Sequence, residues 1–91
     1  MSFTSSEMAQ LTTLLETGDG GLSTAVEFRS RFPGRSLTRC DASDMGSEVP
    51  FKQFAAVDLY LVDGRDHCWR ITAAPEEATG IVLAQRKGQR P

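Results

Sequence analysis

Apart from the methionines, three side chains of this chain carry soft donor atoms: Cys40, His67 and Cys68. Thiolate and imidazole groups bind zinc, and a structural zinc site takes four ligands, often in closely spaced cysteine pairs. Because His67 and Cys68 are adjacent, they point to opposite faces of a strand. Both reach one ion only if a bulge turns one of them and an acidic residue such as Asp66 adds a fourth ligand. The alternative interpretation is that both cysteines are small apolar fillers or surface thiols.

The same side chains could form a thiol–imidazole pair for nucleophilic catalysis. Such a pair needs an imidazole within hydrogen-bond reach of the thiol and a third group that orients the ring. His67 could meet Cys40 across neighbouring strands, with Asp63 or Asp66 nearby. The chain has no local signature of a cysteine-enzyme family and no Ser-His-Asp arrangement. We therefore predict no catalytic residue, no cofactor and no enzymatic activity, with His67 as a half-exposed strand residue.

The elements that must position these residues are the two strands of a predicted hairpin. Val57, Leu59 and Leu61 alternate with other residues, which is the period of a half-buried strand. Burial favours the register that sets Leu59 opposite Trp69, because both then face the core. This register requires an odd-length loop or a bulge at Gly64 and makes Trp69 a core residue.

The opposite face of the hairpin is a candidate protein-binding face. In the predicted register Asp58 lies opposite Arg70, and Tyr60 points outward beside them. Aromatic residues and arginine are enriched among the side chains that dominate protein–protein binding. An ordinary solvated strand surface is the alternative interpretation of Asp58, Tyr60 and Arg70.

A first helix is predicted near the N-terminus. Thr4 and Glu7 have the spacing of a capping box, in which each residue satisfies a backbone N–H of the other. An apolar stripe at helical spacing follows and predicts a helix over residues 5–17. Residues 18–21 are rich in glycine, which favours the end of a helix.

A second helix follows this glycine-rich segment. It begins at Thr24, which forms another possible capping box with Glu27, or as early as Leu22. Pro33 ends the helix, because the residue before a proline is disfavoured in the helical region. The two helices are therefore expected to form a helical hairpin.

Short strands and loops are predicted for the rest of the chain. Residues 36–40 are a strand candidate, and residues 41–50 form an acidic loop. Residues 74–78 resemble one helical turn with a proline in its first position. Residues 81–84 favour a strand, with a helix as the alternative. The tail, residues 86–91, is expected to be frayed.

Together these elements predict one α+β domain over residues 1–91. An N-terminal helical hairpin packs on a small, mainly antiparallel sheet of three to four strands. The open edge of such a sheet makes a homodimer a candidate assembly, because a chain this small often completes its core by self-association.

Composition excludes several classes of partner. The 91 residues are 40% apolar and 24% charged, with a net charge of −2. This charge lacks the basic footprint of a nucleic-acid-binding protein. No apolar run is long enough to span a bilayer, and the first residues lack the basic and apolar regions of a signal peptide. We therefore expect a cytoplasmic protein with a protein partner, no nucleic acid and no membrane, whose two cysteines are thiols.

Three segments resemble a known family: residues 59–68, residues 75–84 and the stretch Arg31-Phe32-Pro33-Gly34 before a short strand. They are similar to a small family of uncharacterised proteobacterial proteins encoded among nitrogen-fixation genes. The resemblance covers residues 10–85. It implies a setting in the cytosol of a nitrogen-fixing bacterium, near metallocluster assembly, electron supply or regulation. The family offers no catalytic or ligand residues that transfer to this chain.

Two functions follow as expectations. The first is a non-enzymatic accessory or protein-interaction domain, associated with nitrogen fixation. The alternative is a thiol or metal handling protein that uses Cys40, His67 and Cys68.

Overall fold

Two helices precede a sheet of five strands. The computed structural model describes residues 3–17, 21–54, 57–64 and 70–86. In chain order the elements are α1 (Ser5–Thr17), α2 (Leu22–Arg31), β1 (Ser36–Asp41), a 3₁₀ turn (Ala42–Met45), β2 (Lys52–Gln53), β3 (Val57–Asp63), β4 (Arg70–Thr72), a second 3₁₀ turn (Pro75–Glu77) and β5 (Gly80–Gln85).

The sheet is mixed, with β3 and β5 at its centre. The strand order is β1-β5-β3-β2, and β4 also pairs with β3 on the side of β3 that faces away from β5. β1 runs parallel to β5, and the other pairs are antiparallel. The predicted α+β class is confirmed. The sheet has five strands rather than three or four because the sequence does not predict β2, which is only two residues long and leaves no periodic pattern.

The α1 helix begins at the predicted capping box. Thr4 Oγ1 accepts the Glu7 N–H at 3.1 Å, and Glu7 Oε1 accepts the Thr4 N–H at 3.0 Å. Both N–H groups lack intrahelical partners, so the box stabilises the first turn. The bounds Ser5–Thr17 agree with the prediction. Residues 18–20, where the sequence predicts the end of the helix, lie outside the described residues.

The α2 helix begins at Leu22, the earlier of its two predicted starts. Gly21 is the N-cap and no side chain caps the helix. Thr24 is therefore the third residue of the helix rather than its N-cap, and it is buried. The helix ends at Arg31, ahead of the proline as predicted, and Gly34 then turns the chain with a φ of 88°. Glycine adopts this conformation without strain.

The main core lies between the helices and one face of the sheet. Alternate residues of the two central strands face this core, in agreement with the period of two predicted for β3. These residues are Val57, Leu59, Leu61, Ile81 and Leu83. Phe3, Phe28 and Phe32 pack above them with ring centroids 5.1 to 6.5 Å apart. Each such aromatic pair adds about 0.5–1.5 kcal/mol beyond area burial.

The β3 strand is buried on both faces, which corrects the predicted outward direction of Tyr60. Every residue from Val57 to Asp63 is buried, and Tyr60 is only 3% exposed. The alternating pattern is typical of a half-buried strand, but the chain after β1 folds over the second face as well. A tyrosine ring tolerates burial when its hydroxyl finds a partner.

The β4 strand pairs with β3 in a register different from the prediction. Arg70 lies opposite Asp63, and Ile71 lies opposite Val62. The predicted pairing of Asp58 with Arg70 is therefore wrong, as is the odd-length loop, since residues 64–69 separate the paired positions. The predicted partner of Leu59 could not fit, because β2 and β5 already occupy both sides of Leu59. Residues 65–69 lie outside the described residues, so the core role of Trp69 stays a prediction.

Candidate functional site

The second face of the sheet holds Cys40 and Tyr60, two of the residues that the sequence marks as candidates. This face is covered by the 3₁₀ turn Ala42–Met45 directly after β1. Asp41 caps the turn, since its carboxylate accepts the Ser43 N–H at 2.9 Å. The buried residues of the face, and those packed against them, are Tyr60, Val62, Val82, Ala84, Cys40, Ala42, Met45 and Ile71.

Cys40 contacts a second sulfur atom. Its Sγ donates to the Sδ of Met45 at 3.7 Å, and both side chains are half-buried. Burial raises the pKa of the Cys40 thiol, and the carboxylates of Asp44 and Asp41 raise it further. Because the thiolate is the reactive form, this thiol is not activated as a nucleophile at neutral pH.

The predicted partners of Cys40 in a metal or thiol site, His67 and Cys68, lie outside the described residues. Within residues 3–17, 21–54, 57–64 and 70–86, no group of three His, Cys, Asp or Glu side chains is placed to hold a metal ion. The second sulfur donor near Cys40 is Met45, five positions along the chain. The sequence prediction did not use it, because methionine spacing alone carries no signal for coordination.

Tyr60 holds the covering segment onto the sheet. Its hydroxyl donates to the backbone carbonyl of Glu48 at 3.3 Å. Burial raises the pKa of the Tyr60 phenol, with smaller electrostatic contributions from Asp58, Cys40 and Glu48. The phenol therefore stays protonated over the physiological range and acts as a structural donor.

Asp58 is buried in an ion pair. Its carboxylate accepts from the guanidinium of Arg86, which also donates to the carbonyl of Val57 at 3.2 Å and to that of Phe54. Charge-assisted bonds of this kind compensate the burial of a carboxylate. Arg86 belongs to the tail predicted to be frayed, but these contacts attach it to β3.

The candidate binding face of Asp58, Tyr60 and Arg70 is therefore not one exposed surface. The structure buries Asp58 and Tyr60 and leaves Arg70 exposed on β4, opposite Asp63. Other exposed features of the described residues are candidate surfaces for a partner.

The edge of the sheet at β1 is such a surface. The Ser36 N–H donates to the Thr79 carbonyl at 3.3 Å, which fixes the direction of the parallel ladder with β5. Backbone groups alternate in direction along a strand, so Ser36, Thr38 and Cys40 bond toward β5. The N–H and C=O groups of Leu37 and Arg39 point away from β5, and no described strand lies on that side.

The α2 helix adds an exposed apolar pair next to this edge. Leu22 is 67% and Val26 is 58% exposed, and they lie four residues apart on one side of the helix. The side of α2 that faces α1 carries Ser23 and Glu27 instead. Since α2 contacts β1 and this pair lies to one side of the Ser23–Glu27 side, we infer that the Leu22–Val26 pair is on the flank of the helix toward the open edge.

A second apolar region surrounds Phe51, at the other side of the sheet. Phe51 is 39% exposed and separates two open grooves, each of about 650 Å³. Phe3 and Met8 line the first groove, and Val49 lines the second. Three residues further along the chain, Phe54 is buried in the core, whereas Phe51 itself is exposed.

Within the described residues, the fold and its surfaces define a small α+β domain with a mixed sheet, two buried faces and an open edge at β1. A family model, the family of unknown function DUF6129, matches residues 12–86. The chain therefore belongs to this family of unknown function, and the matched residues nearly coincide with the predicted extent of 10–85. No curated protein and no solved structure gives a significant match.

The helices offer no membrane-spanning element. Among the described residues, neither α1 nor α2 is long and apolar enough to cross a bilayer.

Proposed function

We propose that this chain is a non-enzymatic accessory domain that binds a protein partner by strand addition at the open edge of β1. The observation that carries this proposal is that the backbone N–H and C=O groups of Leu37 and Arg39 point outward, away from β5. In strand addition, the main-chain hydrogen bonds supply affinity and the alternating side chains supply selectivity. The six residues of β1 are long enough for such a ladder.

The chemistry of the second face supports a binding role over catalysis. The Cys40 thiol has a raised pKa, the Tyr60 phenol is a buried structural donor, and Asp58 is ion-paired. Among the described residues, these three groups hold the fold together, and none of them lines the two grooves beside Phe51.

The test uses two variants of one residue. Arg39→Pro removes the outward N–H without removing a bond to β5, and proline is tolerated at an edge strand. Arg39→Ala is the matched control, since it removes the charge and keeps the N–H. Affinity capture from the native host should recover the same protein with wild type and Arg39→Ala, and lose it with Arg39→Pro. Equal recovery with all three proteins would contradict strand addition at β1.

We further propose that the domain acts in the cytoplasm of a nitrogen-fixing bacterium, near metallocluster assembly, electron supply or regulation. The support is the sequence resemblance of residues 59–68 and 75–84. Deletion of the gene should slow growth on dinitrogen and leave growth on ammonium unchanged. Equal growth of the deletion strain on both nitrogen sources would contradict the proposed role in nitrogen fixation.

Thiol or metal handling by Cys40, His67 and Cys68 is the second candidate function. One observation favours it, the 3.7 Å contact of Cys40 Sγ with Met45 Sδ, because two sulfur donors together suit a soft metal ion. The raised pKa of the Cys40 thiol opposes it, since a metal ligand must be the thiolate.

A further inference from the structure

We infer that the partner at the β1 edge is a second copy of this chain, whose β1 pairs antiparallel with the first across a twofold axis at Thr38. The inference rests on the proposed function, because both use the same edge. In this arrangement the two sheets join into one continuous sheet.

The directions of the backbone groups restrict the register. Antiparallel strands exchange hydrogen bonds between residues whose backbone groups point toward each other, so the outward residues Leu37, Arg39 and Asp41 must meet outward residues of the second copy. A twofold axis at Arg39 would place two arginines directly opposite, which is destabilising. An axis at Cys40 would pair only residues 39–41, because β1 ends at Asp41.

An axis at Thr38 avoids opposing like charges and uses most of the length of β1. Leu37 then lies opposite Arg39 of the second copy, and these two symmetric pairs form four main-chain hydrogen bonds. Thr38 meets its own counterpart, and directly opposed threonines are a favourable cross-strand pair. The ladder covers residues 36–40, most of β1.

The flank of α2 supports the same axis. A twofold axis perpendicular to the sheet keeps the helices of both copies on one face. Because α2 packs against β1, the two α2 helices become neighbours across the junction. Their exposed Leu22–Val26 flanks then face each other, which removes from water the apolar pair that the single chain exposes.

The first experiment measures self-association of the purified full chain by sedimentation velocity over a range of concentrations. Wild type should form a dimer. Arg39→Pro should raise the dimer dissociation constant about tenfold or more, because it removes one main-chain bond in each copy. Val26→Glu should also raise it, since the substitution places like charges at the junction.

Val49→Glu is the matched control. Val49 is 79% exposed and lies beside Phe51, away from β1, so the dimer should be unchanged. A dimer weakened by Val49→Glu and not by Val26→Glu would place the junction at the Phe51 grooves and overturn the inference.

The second experiment tests the register by disulfide formation in a Cys40→Ser, Cys68→Ser background. Thr38→Cys should form a covalent dimer on mild oxidation, because opposed residues of this type lie about 4.5 Å apart between Cα atoms, within disulfide range. Ser36→Cys should not, since its two copies would lie roughly 13 Å apart along the strands. The reverse pattern would overturn the Thr38 axis.

These outcomes separate the inference from the proposed function. A chain that stays monomeric at all concentrations, while Arg39→Pro still abolishes capture of a different protein, rejects self-pairing and keeps strand addition. A dimer that Arg39→Pro and Val26→Glu leave intact rejects the β1 edge for self-pairing, and equal capture by Arg39→Pro then rejects strand addition as well.

Discussion

Tyr60 illustrates at the residue scale how the second face of the sheet is held closed. The ring lies in the core of that face, and the hydroxyl bonds to the covering segment through Glu48. The sequence predicts that Tyr60 points outward on the hairpin. Its burial reverses that expectation.

We predict that Tyr60→Ala lowers the free energy of unfolding by about 3–5 kcal/mol, because a large buried ring is replaced by a cavity. Tyr60→Phe should lower it by only about 0.5–1.5 kcal/mol, since it removes one hydrogen bond and keeps the ring. Urea unfolding followed by circular dichroism measures both. Equal stability of wild type and Tyr60→Ala would show that the second face is open.

Cys40 is predicted to be a slow thiol. Its raised pKa leaves less thiolate at neutral pH than an unperturbed cysteine, whose pKa is about 8.5. In a Cys68→Ser background, Cys40 should be alkylated more slowly than a cysteine peptide at pH 7. The alkylation rate of Cys40 should keep rising above pH 8.5. Asp44→Asn should increase the rate at pH 7, because it removes one of the carboxylates near the thiol. Alkylation faster than the peptide at pH 7 would identify an activated cysteine instead.

At the scale of elements, close contacts decide how the helices and strands join. Glu7 not only caps α1 but also binds Arg35 in a two-point ion pair at 3.0 and 2.9 Å. Arg35 lies over the Phe3 ring, 4.9 Å from its centroid. The start of α1 is thereby attached to the segment between α2 and β1.

The Glu7–Arg35 pair predicts a pH dependence of stability. The Arg35 hydrogen bond, followed by the Thr4 backbone bond, holds the pKa of Glu7 below its usual range. A carboxyl with a lowered folded-state pKa stabilises the fold above its unfolded pKa, about 4.3, and this contribution is lost as the pH falls further. Glu7→Gln, which retains a capping side chain, should destabilise the protein at pH 7.

The difference in unfolding free energy between wild type and Glu7→Gln should shrink as the pH falls from 7 to 3. Thermal unfolding at each pH measures it. A difference that stays constant over this range would show that the Glu7 charge makes no contribution.

Gly80 is the glycine of the described strands, and it lies close to Ser36 on the neighbouring β1. A Cβ at Gly80 would lie 1.9 Å from Ser36 Oγ and 2.7 Å from the Ser36 backbone oxygen. The exposed hydroxyl can rotate away, but the backbone oxygen belongs to the ladder. Gly80→Ala should therefore lower the free energy of unfolding by about 1–3 kcal/mol.

The double variant Gly80→Ala, Ser36→Ala separates the two contacts. It should recover only part of the loss, since the contact with the backbone oxygen remains. Full recovery in denaturant unfolding would assign the whole effect to the Ser36 hydroxyl.

At the scale of the whole molecule, the described residues form two cores on either side of one sheet. A chain of this size buries a modest fraction of its surface, so both cores are needed for stability. Strand addition at β1 extends the sheet without disturbing either core, which is why this edge can serve as an interface.

The metal alternative has its own test at this scale. Protein purified without an affinity metal should show the mass of the bare polypeptide in native mass spectrometry. The described residues around Cys40 include no third ligand of the His, Cys, Asp or Glu type. A mass excess of one metal ion that Cys68→Ser removes would instead establish a metal site and direct the next substitutions to Cys40 and His67.

Local signals in the sequence determined α1, the end of α2, the strand period of β3 and the α+β class. Capping boxes, proline and alternation act over a few residues, so they are visible without tertiary structure. The sequence also singled out Cys40 and Tyr60, although it assigned Tyr60 to the wrong environment.

Tertiary structure alone decided the register of β4, the burial of Tyr60 and Asp58, and the open edge at β1. Each depends on which strand lies beside which, and strand order is set by contacts between distant residues. β2 and β5 occupy both sides of Leu59, so β4 pairs further along β3. Arg86 and Asp58 are 28 positions apart in the chain, so no local sequence pattern predicts their contact.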